Sequence, residues 1–102
     1  MTLDELSAIA RANGLDLSRE QLDALWGYAT LLKEKNQGVN LISRKDEENI
    51  LDKHILHSLC IAMPQVAGFS FPLGARAFDI GAGGGLPGIP LKIVRPDLTV
   101  VL

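Results

Sequence analysis

The sequence that decides the fold runs Asp79-Ile80-Gly81-Ala82-Gly83-Gly84-Gly85-Leu86-Pro87-Gly88. Residues 76–80, which lead into the glycines, are predicted to form a short strand, and residues 89–94 can form a helix with Pro90 in its first turn. Residues 98–102 are a β-branched, apolar run typical of a second strand. A strand, a glycine-rich loop, a helix and a strand in this order predict the opening βαβ unit of a parallel sheet.

Three helices are predicted upstream of this unit. The first two begin at capping-box pairs, which are Thr2 with Glu5 and Ser18 with Gln21. The third is predicted to start at Ser43 or Asp46 and to end at Pro64, because proline cannot continue a helix. Residues 65–74 are rich in proline and glycine and are predicted to be a connector.

These elements together predict an α/β protein. Residues 1–72 would form an N-terminal helical cap, and residues 73–102 would form the start of a Rossmann-like domain. Because a parallel sheet needs both of its faces covered, two strands cannot complete such a domain. We therefore expect the chain to be truncated inside an incomplete domain.

Length and composition restrict the class of protein. The chain has 102 residues, enough for one small domain, and its 47% apolar and 22% charged residues argue against a disordered or fibrous chain. Cys60 is a single cysteine, which indicates a reducing compartment. The acidic N-terminus lacks the regions of a signal peptide, and the longest apolar run, residues 59–63, is too short to span a bilayer. We expect a cytoplasmic protein with no membrane partner.

The charge of the chain provides no general attraction for nucleic acid. A net charge of −2 gives no positive field over the whole surface. One local basic concentration comprises Lys33, Lys35, Arg44 and Lys45. The simpler interpretation is a solvated helix end followed by a loop, and the alternative is a local contact with RNA.

His54, His57 and Cys60 lie three residues apart and invite a metal interpretation. On a helix they would spread over about 120°, too wide for three bonds to one zinc ion, so no metal site is predicted. Instead, His54 is predicted to be partly buried and bonded to a neighbouring loop near Asn40, with an RNA or substrate contact as the alternative, and Cys60 to be core. Trp26 is predicted to be core rather than a stacking platform, because it lies on the apolar stripe of the second helix.

The glycine cluster indicates a ligand at the carboxyl end of the first strand, since glycines allow tight turns and close approach to the backbone. Residues 79–85 fit D-x-G-x-G-x-G, the form of the first loop in S-adenosylmethionine-dependent methyltransferases. Residues 83–88 also fit the dinucleotide fingerprint G-x-G-x-x-G, but well beyond the end of the strand. Asp79 suits a cationic sulfonium and ammonium and would repel a pyrophosphate. The methyl donor is therefore favoured, with a dinucleotide as the alternative.

Three segments of the chain resemble the glucose-inhibited division protein B family of bacterial methyltransferases. Residues 81–90 together with residues 94–97 resemble its glycine-rich signature, residues 40–43 its Asn-Leu-Thr segment, and residues 53–58 its Arg-His-x-x-Asp-Ser segment. The order and spacing of these segments agree over nearly the whole chain. The sequence departs from the pattern where the family often has Trp, Thr and Asp, at Lys35, Ile42 and His57.

The resemblance implies a function and a set of ligand contacts. Proteins of this family use S-adenosylmethionine to form 7-methylguanosine in small-subunit ribosomal RNA, so the resemblance implies that cofactor and that RNA, or the ribosomal particle, as partner. It implies methyl-donor contacts at Gly81 and Leu86, with Asp79, Gly83 and Gly85 shaping the same loop. Leu86 would form an apolar wall against the donor. The family members are longer, so the resemblance covers only their front half.

No catalytic residue is identified from the sequence. Guanine N7 carries no proton, so its methylation needs no general base and can depend on orientation and desolvation. Two other functions remain open at this point: a dinucleotide-dependent oxidoreductase that would bind NADH, and a non-catalytic helical module that would bind RNA through its basic residues.

Overall fold

A computed structural model describes residues 1–81 and 83–102 of the chain. Its α-helices are α1 (Leu3–Ala12), α2 (Arg19–Asn36), α3 (His57–Leu59), α4 (Pro64–Ala67) and α5 (Gly88–Val94), and its strands are β1 (Arg76–Phe78) and β2 (Thr99–Val101). Turns of 3-10 helix at Arg44–Asn49 and Cys60–Ala62 and a π-helix at Leu51–Leu56 complete the helical part. Ala82, a member of the predicted loop motif, lies outside the described residues.

Both predicted capping boxes are confirmed. At the start of α1, Thr2 N donates to Glu5 Oε1 at 2.9 Å and Glu5 N donates to Thr2 Oγ1 at 3.1 Å. Ser18 and Gln21 exchange the same pair of bonds at the start of α2. These bonds satisfy amide groups that have no acceptor within the helix, which is why the local pattern located both starts.

The predicted third helix is irregular rather than a single α-helix. Its buried residues Leu51, Ile55 and Leu59 recur every four positions, and Met63 continues the interval. In a regular α-helix each four-residue step drifts by about 40°, which would carry these side chains away from the core. The wider turns of the π-helix at Leu51–Leu56 counter that drift.

The two ends of this irregular helix were predicted with mixed success. Ser43, one of the two predicted caps, is the N-cap, and its Oγ accepts from Lys45 N at 3.4 Å. Pro64 ends the segment as predicted, but it also starts α4, so part of the predicted connector is helical. Proline is tolerated there because the first amide of a helix has no acceptor within the helix.

β1 and β2 pair in parallel, as predicted. Arg76 lies opposite Thr99, Ala77 opposite Val100 and Phe78 opposite Val101. The connection between the strands runs through α5, which packs against β2 and against the helices α2 and α3. The structure is thus an α/β arrangement, in which a small two-stranded sheet is joined to a larger helical part.

The core lies mainly among the helices and continues into the segment that follows β1. Leu6, Leu25, Ile55 and Leu59, which come from α1, α2 and the irregular helix, have 0% exposure, and so has Leu98 between α5 and β2. Val94 of α5 belongs to the same buried cluster. The predicted cap and the predicted βαβ unit therefore share one core.

The prediction that Trp26 is a core residue is wrong, because its side chain is 53% exposed. The buried stripe of α2 is formed by Leu22, Leu25, Ala29 and Leu32. Trp26 lies about 80° from the middle of that stripe on one flank, and Tyr28 lies about 80° away on the other. The flank of an apolar stripe is where a large ring is only partly covered.

Several large apolar side chains of the strand region are uncovered. Leu73, Phe78, Ile80 and Leu102 are each 62% to 95% exposed. Within the described residues, no helix is long and apolar enough to cross a bilayer.

Candidate functional site

The predicted site residues all lie between β1 and α5, in residues 79–81 and 83–87, here termed the glycine loop. Gly81, Gly83 and Gly85 have φ values of +72°, +54° and +94°. Residues with a Cβ atom rarely adopt such values, so the loop conformation requires glycine at these three positions. An ideal Cβ at Gly81 or Gly83 would meet no heavy atom of another described residue within 4 Å, so both positions face open space.

Asp79 connects the end of β1 to the start of α5. Its backbone N donates to Val101 O at 2.7 Å, which extends the strand pairing by one bond. Its Oδ2 accepts from Gly88 N at 2.9 Å. This bond ties the end of β1 to the first residue of α5.

Gly88 is a residue of the site that the sequence analysis placed in the glycine cluster but did not select. A Cβ at this position would lie 2.8 Å from Asp79 Oδ2 and 2.6 Å from Leu102 Cδ2. Only glycine allows α5 to approach the end of β1 this closely. Close packing of helix and strand is also the role of the third glycine in the dinucleotide fingerprint, so Gly88 by itself does not separate the two registers.

Gly84 is held by residues of α2 and of the loop that follows it. Tyr28 Oη donates to Gly84 O at 2.7 Å. A Cβ at Gly84 would lie 2.9 Å from Leu32 Cδ1 and 3.4 Å from Leu41 Cβ. Sequence analysis did not identify Tyr28, although its place on the flank of the α2 stripe, opposite Trp26, was a signal in the sequence.

The environment of Tyr28 opposes ionisation of its hydroxyl group. The ring is half-buried, and burial raises the pKa of Tyr28 to about 12, with a smaller contribution from the negative charge of Asp79. The hydroxyl therefore remains protonated at neutral pH and stays a hydrogen-bond donor to Gly84 O.

A buried amide supports Leu41, the residue beneath Gly84. Asn36 has 0% exposure, and its Oδ1 accepts from Leu41 N at 2.7 Å and from Ile42 N at 2.9 Å. Its Nδ2 donates to Glu47 Oε1 at 2.7 Å. These bonds fix the end of the turn after α2, where Leu41 and Ile42 belong to residues 40–43, the segment that resembles the family's Asn-Leu-Thr.

Leu86 and Gly85 lie where the glycine loop meets the helices. Leu86 is partly buried and packs against the core cluster. Gly85 is buried, and its O accepts from Ile89 N at 2.7 Å. The structure thus brings together Asp79, Gly81, Gly83, Gly85 and Leu86 in one loop at the carboxyl end of β1.

The geometry disfavours the dinucleotide register. The turn directly after β1 includes Ile80 and Gly81. The dinucleotide fingerprint needs its first glycine in this turn, but in this sequence the first glycine of the fingerprint is Gly83. The methyltransferase register puts its first glycine, Gly81, in the turn.

His54, His57 and Cys60, the three residues considered above as metal ligands, do not form a metal site. His54 Nε2 lies 3.2 Å from Asp46 Oδ2, so the partner of His54 is in the 3-10 turn Arg44–Asn49 and not in the predicted loop near Asn40. His57 is exposed, and Cys60 is partly buried against the core. Over residues 1–81 and 83–102, no group of three or more His, Cys, Asp or Glu side chains is placed to hold a metal ion.

A cavity of about 330 Å³ lies away from the glycine loop, with Trp26 in its wall. Two of its acidic side chains already have partners, since Glu47 accepts from Asn36 and Glu48 accepts from Lys33 at 2.8 Å. The bond to Glu48 raises the pKa of Lys33 and offsets part of the local basic charge. This weakens the interpretation of that surface as an RNA-binding patch.

The chain is similar to proteins of one known family. The family model for rRNA small subunit methyltransferase G (GidB) matches residues 21–102. The chain is 43% identical over 97 residues to ribosomal RNA small subunit methyltransferase G of Chlorobium chlorochromatii, covering 95% of this chain and 40% of that protein. It is 44% identical over 104 residues to the protein of the same name from Ralstonia nicotianae, covering 99% of this chain and 46% of that protein.

A third relative extends the same relationship. The ribosomal RNA small subunit methyltransferase G of Moorella thermoacetica is 40% identical over 97 residues, which cover 95% of this chain and 39% of that protein. The chain thus spans less than half the length of these relatives. The family match includes most of α2, the irregular helix, the glycine loop and both strands, and it confirms the resemblance seen in the sequence. The chain therefore belongs to the rRNA small subunit methyltransferase G family.

Proposed function

We propose that this chain forms the methyl-donor side of an S-adenosylmethionine-dependent enzyme that makes 7-methylguanosine in small-subunit ribosomal RNA. The observation that carries the proposal is the glycine loop, in which Gly81 and Gly83 have positive φ values and face open space at the end of β1. Backbone without side chains allows a flat ligand to approach closely at this edge of a parallel sheet. The curated relatives are named as methyltransferases of the small-subunit ribosomal RNA.

The residues present fit a cationic methyl donor. The carboxylate of Asp79 directly follows β1, and its Oδ2 accepts from Gly88 N. Its negative charge attracts an ammonium or sulfonium group, and it lies beside a loop that has no side chains at Gly81 and Gly83. Leu86 would contact the apolar part of the donor from the side of the loop that faces the core.

S-adenosylmethionine supplies a methyl group on a positively charged sulfur. The work of the described residues is to bind and orient that molecule, and no residue among them has to remove a proton from guanine N7. The glycine loop and Leu86 would exclude water from the donor side, which strengthens the interaction with Asp79. RNA-facing residues are not assigned to this chain.

The organisation of the chain fits this function. We propose residues 1–72 as a helical cap and residues 73–102 as the start of a Rossmann-like methyltransferase sheet, with the exposed side chains of Phe78 and Ile80 on a face that further structure would cover. We further propose that the protein acts in the cytoplasm on ribosomal RNA or on a ribosomal particle.

The proposal is tested by titrating the protein, at its full natural length, with S-adenosylmethionine in a calorimeter. Gly83→Val forces a β-branched residue to a φ value of +54°, which costs about 1–3 kcal/mol of strain. If the loop must keep this shape to bind the donor, affinity falls by about tenfold to a hundredfold. Circular dichroism checks that the helices remain folded.

Gly27→Ala is the matched control. Gly27 lies inside α2, and a Cβ there would meet nothing within 4 Å. Alanine should raise stability by about 0.5–1 kcal/mol and leave donor affinity unchanged. Equal affinity of the wild-type and Gly83→Val proteins would overturn the site assignment, and binding of NADH without binding of S-adenosylmethionine would favour the oxidoreductase alternative.

A further inference from the structure

The glycine loop is not held by its own strand and helix alone, because residues of the helical cap contact its middle. Tyr28 Oη donates to Gly84 O at 2.7 Å, and Leu32 and Leu41 lie directly beneath Gly84. Each of these residues lies far from Gly84 in sequence. The contact therefore joins the two proposed parts of the chain at the loop that would bind the donor.

We propose that Tyr28 is a positioning residue, whose hydrogen bond to Gly84 O sets the conformation of the glycine loop and thereby the affinity of the loop for S-adenosylmethionine. This inference rests on the proposed function. Tyr28 acts through the backbone of Gly84 and is given no direct contact with the donor.

The physical reason is the freedom of the backbone around Gly84. Its neighbours Gly83 and Gly85 both have positive φ values, and glycine populates more backbone states than any other residue. A loop of this kind loses conformational entropy when it orders around a ligand. A bond that fixes the carbonyl group of Gly84 in advance reduces that loss, which raises affinity without adding any contact to the ligand.

The apolar support beneath Gly84 makes the hydrogen bond specific. A Cβ at Gly84 would approach Leu32 Cδ1 to 2.9 Å and Leu41 Cβ to 3.4 Å, so the backbone of the loop rests on these two side chains. Leu32 is 3% exposed, and Leu41 is held by Asn36 through its amide group. The loop is therefore fixed at one point by a polar contact and an apolar contact together, and the hydroxyl group of Tyr28 supplies the directional part.

Tyr28→Phe tests the inference because it removes the hydroxyl group and keeps the ring. Calorimetric titration of the full-length protein with S-adenosylmethionine should show affinity lowered about three- to tenfold, the usual effect of one hydrogen bond. Hydrogen exchange of the amides of Gly88 and Ile89, which donate to Asp79 Oδ2 and Gly85 O of the glycine loop, should become faster in the variant without any ligand present. A purely structural role would lower the melting temperature but leave the affinity of the folded protein unchanged.

Thr30→Val is the matched control on the same helix. The hydroxyl group of Thr30 donates to Trp26 O within α2, and its removal leaves a side chain of the same shape. Donor affinity and exchange in the glycine loop should match those of the wild type.

Gly84→Ala gives an independent measurement that keeps Tyr28 intact. The added methyl group should lift the loop from Leu32 and weaken donor binding, and combining it with Tyr28→Phe should cost less than the sum of the two single changes. Tyr28→Phe with wild-type affinity, or strict additivity in the pair, overturns the inference. If the wild-type protein does not bind S-adenosylmethionine, the proposed function fails, while faster loop exchange in Tyr28→Phe would still support the positioning contact.

Discussion

The helical region and the strand region of this molecule differ in how completely they bury their apolar side chains. In the helical region Leu25, Ile55 and Leu59 have 0% exposure. In the strand region Phe78 is 66% exposed and Ile80 is 95% exposed. The helices thus form most of a closed core, whereas these two apolar side chains of the strand region are largely exposed.

This difference indicates that stability and the proposed donor binding depend mainly on different residues. The residues that stabilise the fold lie mainly in the helices, and the residues proposed to bind the donor lie at the edge of the less covered region. Val94 and Tyr28 connect the two, because the first belongs to the helical core and the second reaches the glycine loop. Stability and the proposed binding can therefore be perturbed separately, except at such connecting residues.

The largest expected effect comes from opening a cavity in the helical region. Leu25→Ala removes a fully buried side chain and should lower the free energy of unfolding by about 2–5 kcal/mol. Ile80→Ser changes a side chain that is 95% exposed and should alter it by less than about 0.5 kcal/mol. Urea unfolding followed by circular dichroism measures both, and similar losses for the two variants would contradict the contrast between the regions.

An intermediate effect is expected at Asn36, which supports the link between the regions. Asn36→Ala leaves the amides of Leu41 and Ile42 without their acceptor and should cost about 1–3 kcal/mol in urea unfolding. Asn40→Ala is the control, because Asn40 is an exposed residue of the same type and should change stability little. Equal stability of the two variants would show that the buried amide does not order the turn.

The smallest effect is expected at the ion pair of the strand region. Arg95 donates to both carboxylate oxygens of Asp97, and Gly74 N donates to Oδ2; these bonds hold the pKa of Asp97 well below its usual range. Because the pKa of Asp97 is lowered in the folded state, the residue contributes stability at pH values above its ordinary pKa of about 3.8. That contribution is lost as the pH falls.

The stability difference between the wild type and Asp97→Asn should therefore be present at neutral pH and shrink as the solution is acidified below about pH 4. Urea unfolding at a series of pH values measures it. A difference that stays constant with pH would mean that the charge of Asp97 is not what the pair contributes.

Much of the fold followed from short-range patterns in the sequence. The capping boxes at Thr2 and Ser18 located two helices, because the bonds that start a helix join residues only three positions apart. The parallel pairing of the strands and the position of α5 also agreed with prediction. The irregular turns of residues 44–62 and the exposure of Trp26 did not follow, because both depend on how neighbouring helices pack.

The sequence by itself determined where the proposed donor loop lies, since positive φ values at Gly81, Gly83 and Gly85 require residues without a Cβ, and that requirement is local. Only the tertiary structure decided what holds this loop in place. Tyr28, Leu32 and Leu41 reach Gly84 because α2 packs against the region around α5. The periodicity of α2 puts Tyr28 on the flank of its apolar stripe, but no short-range pattern identifies Gly84, so distant in the chain, as its partner.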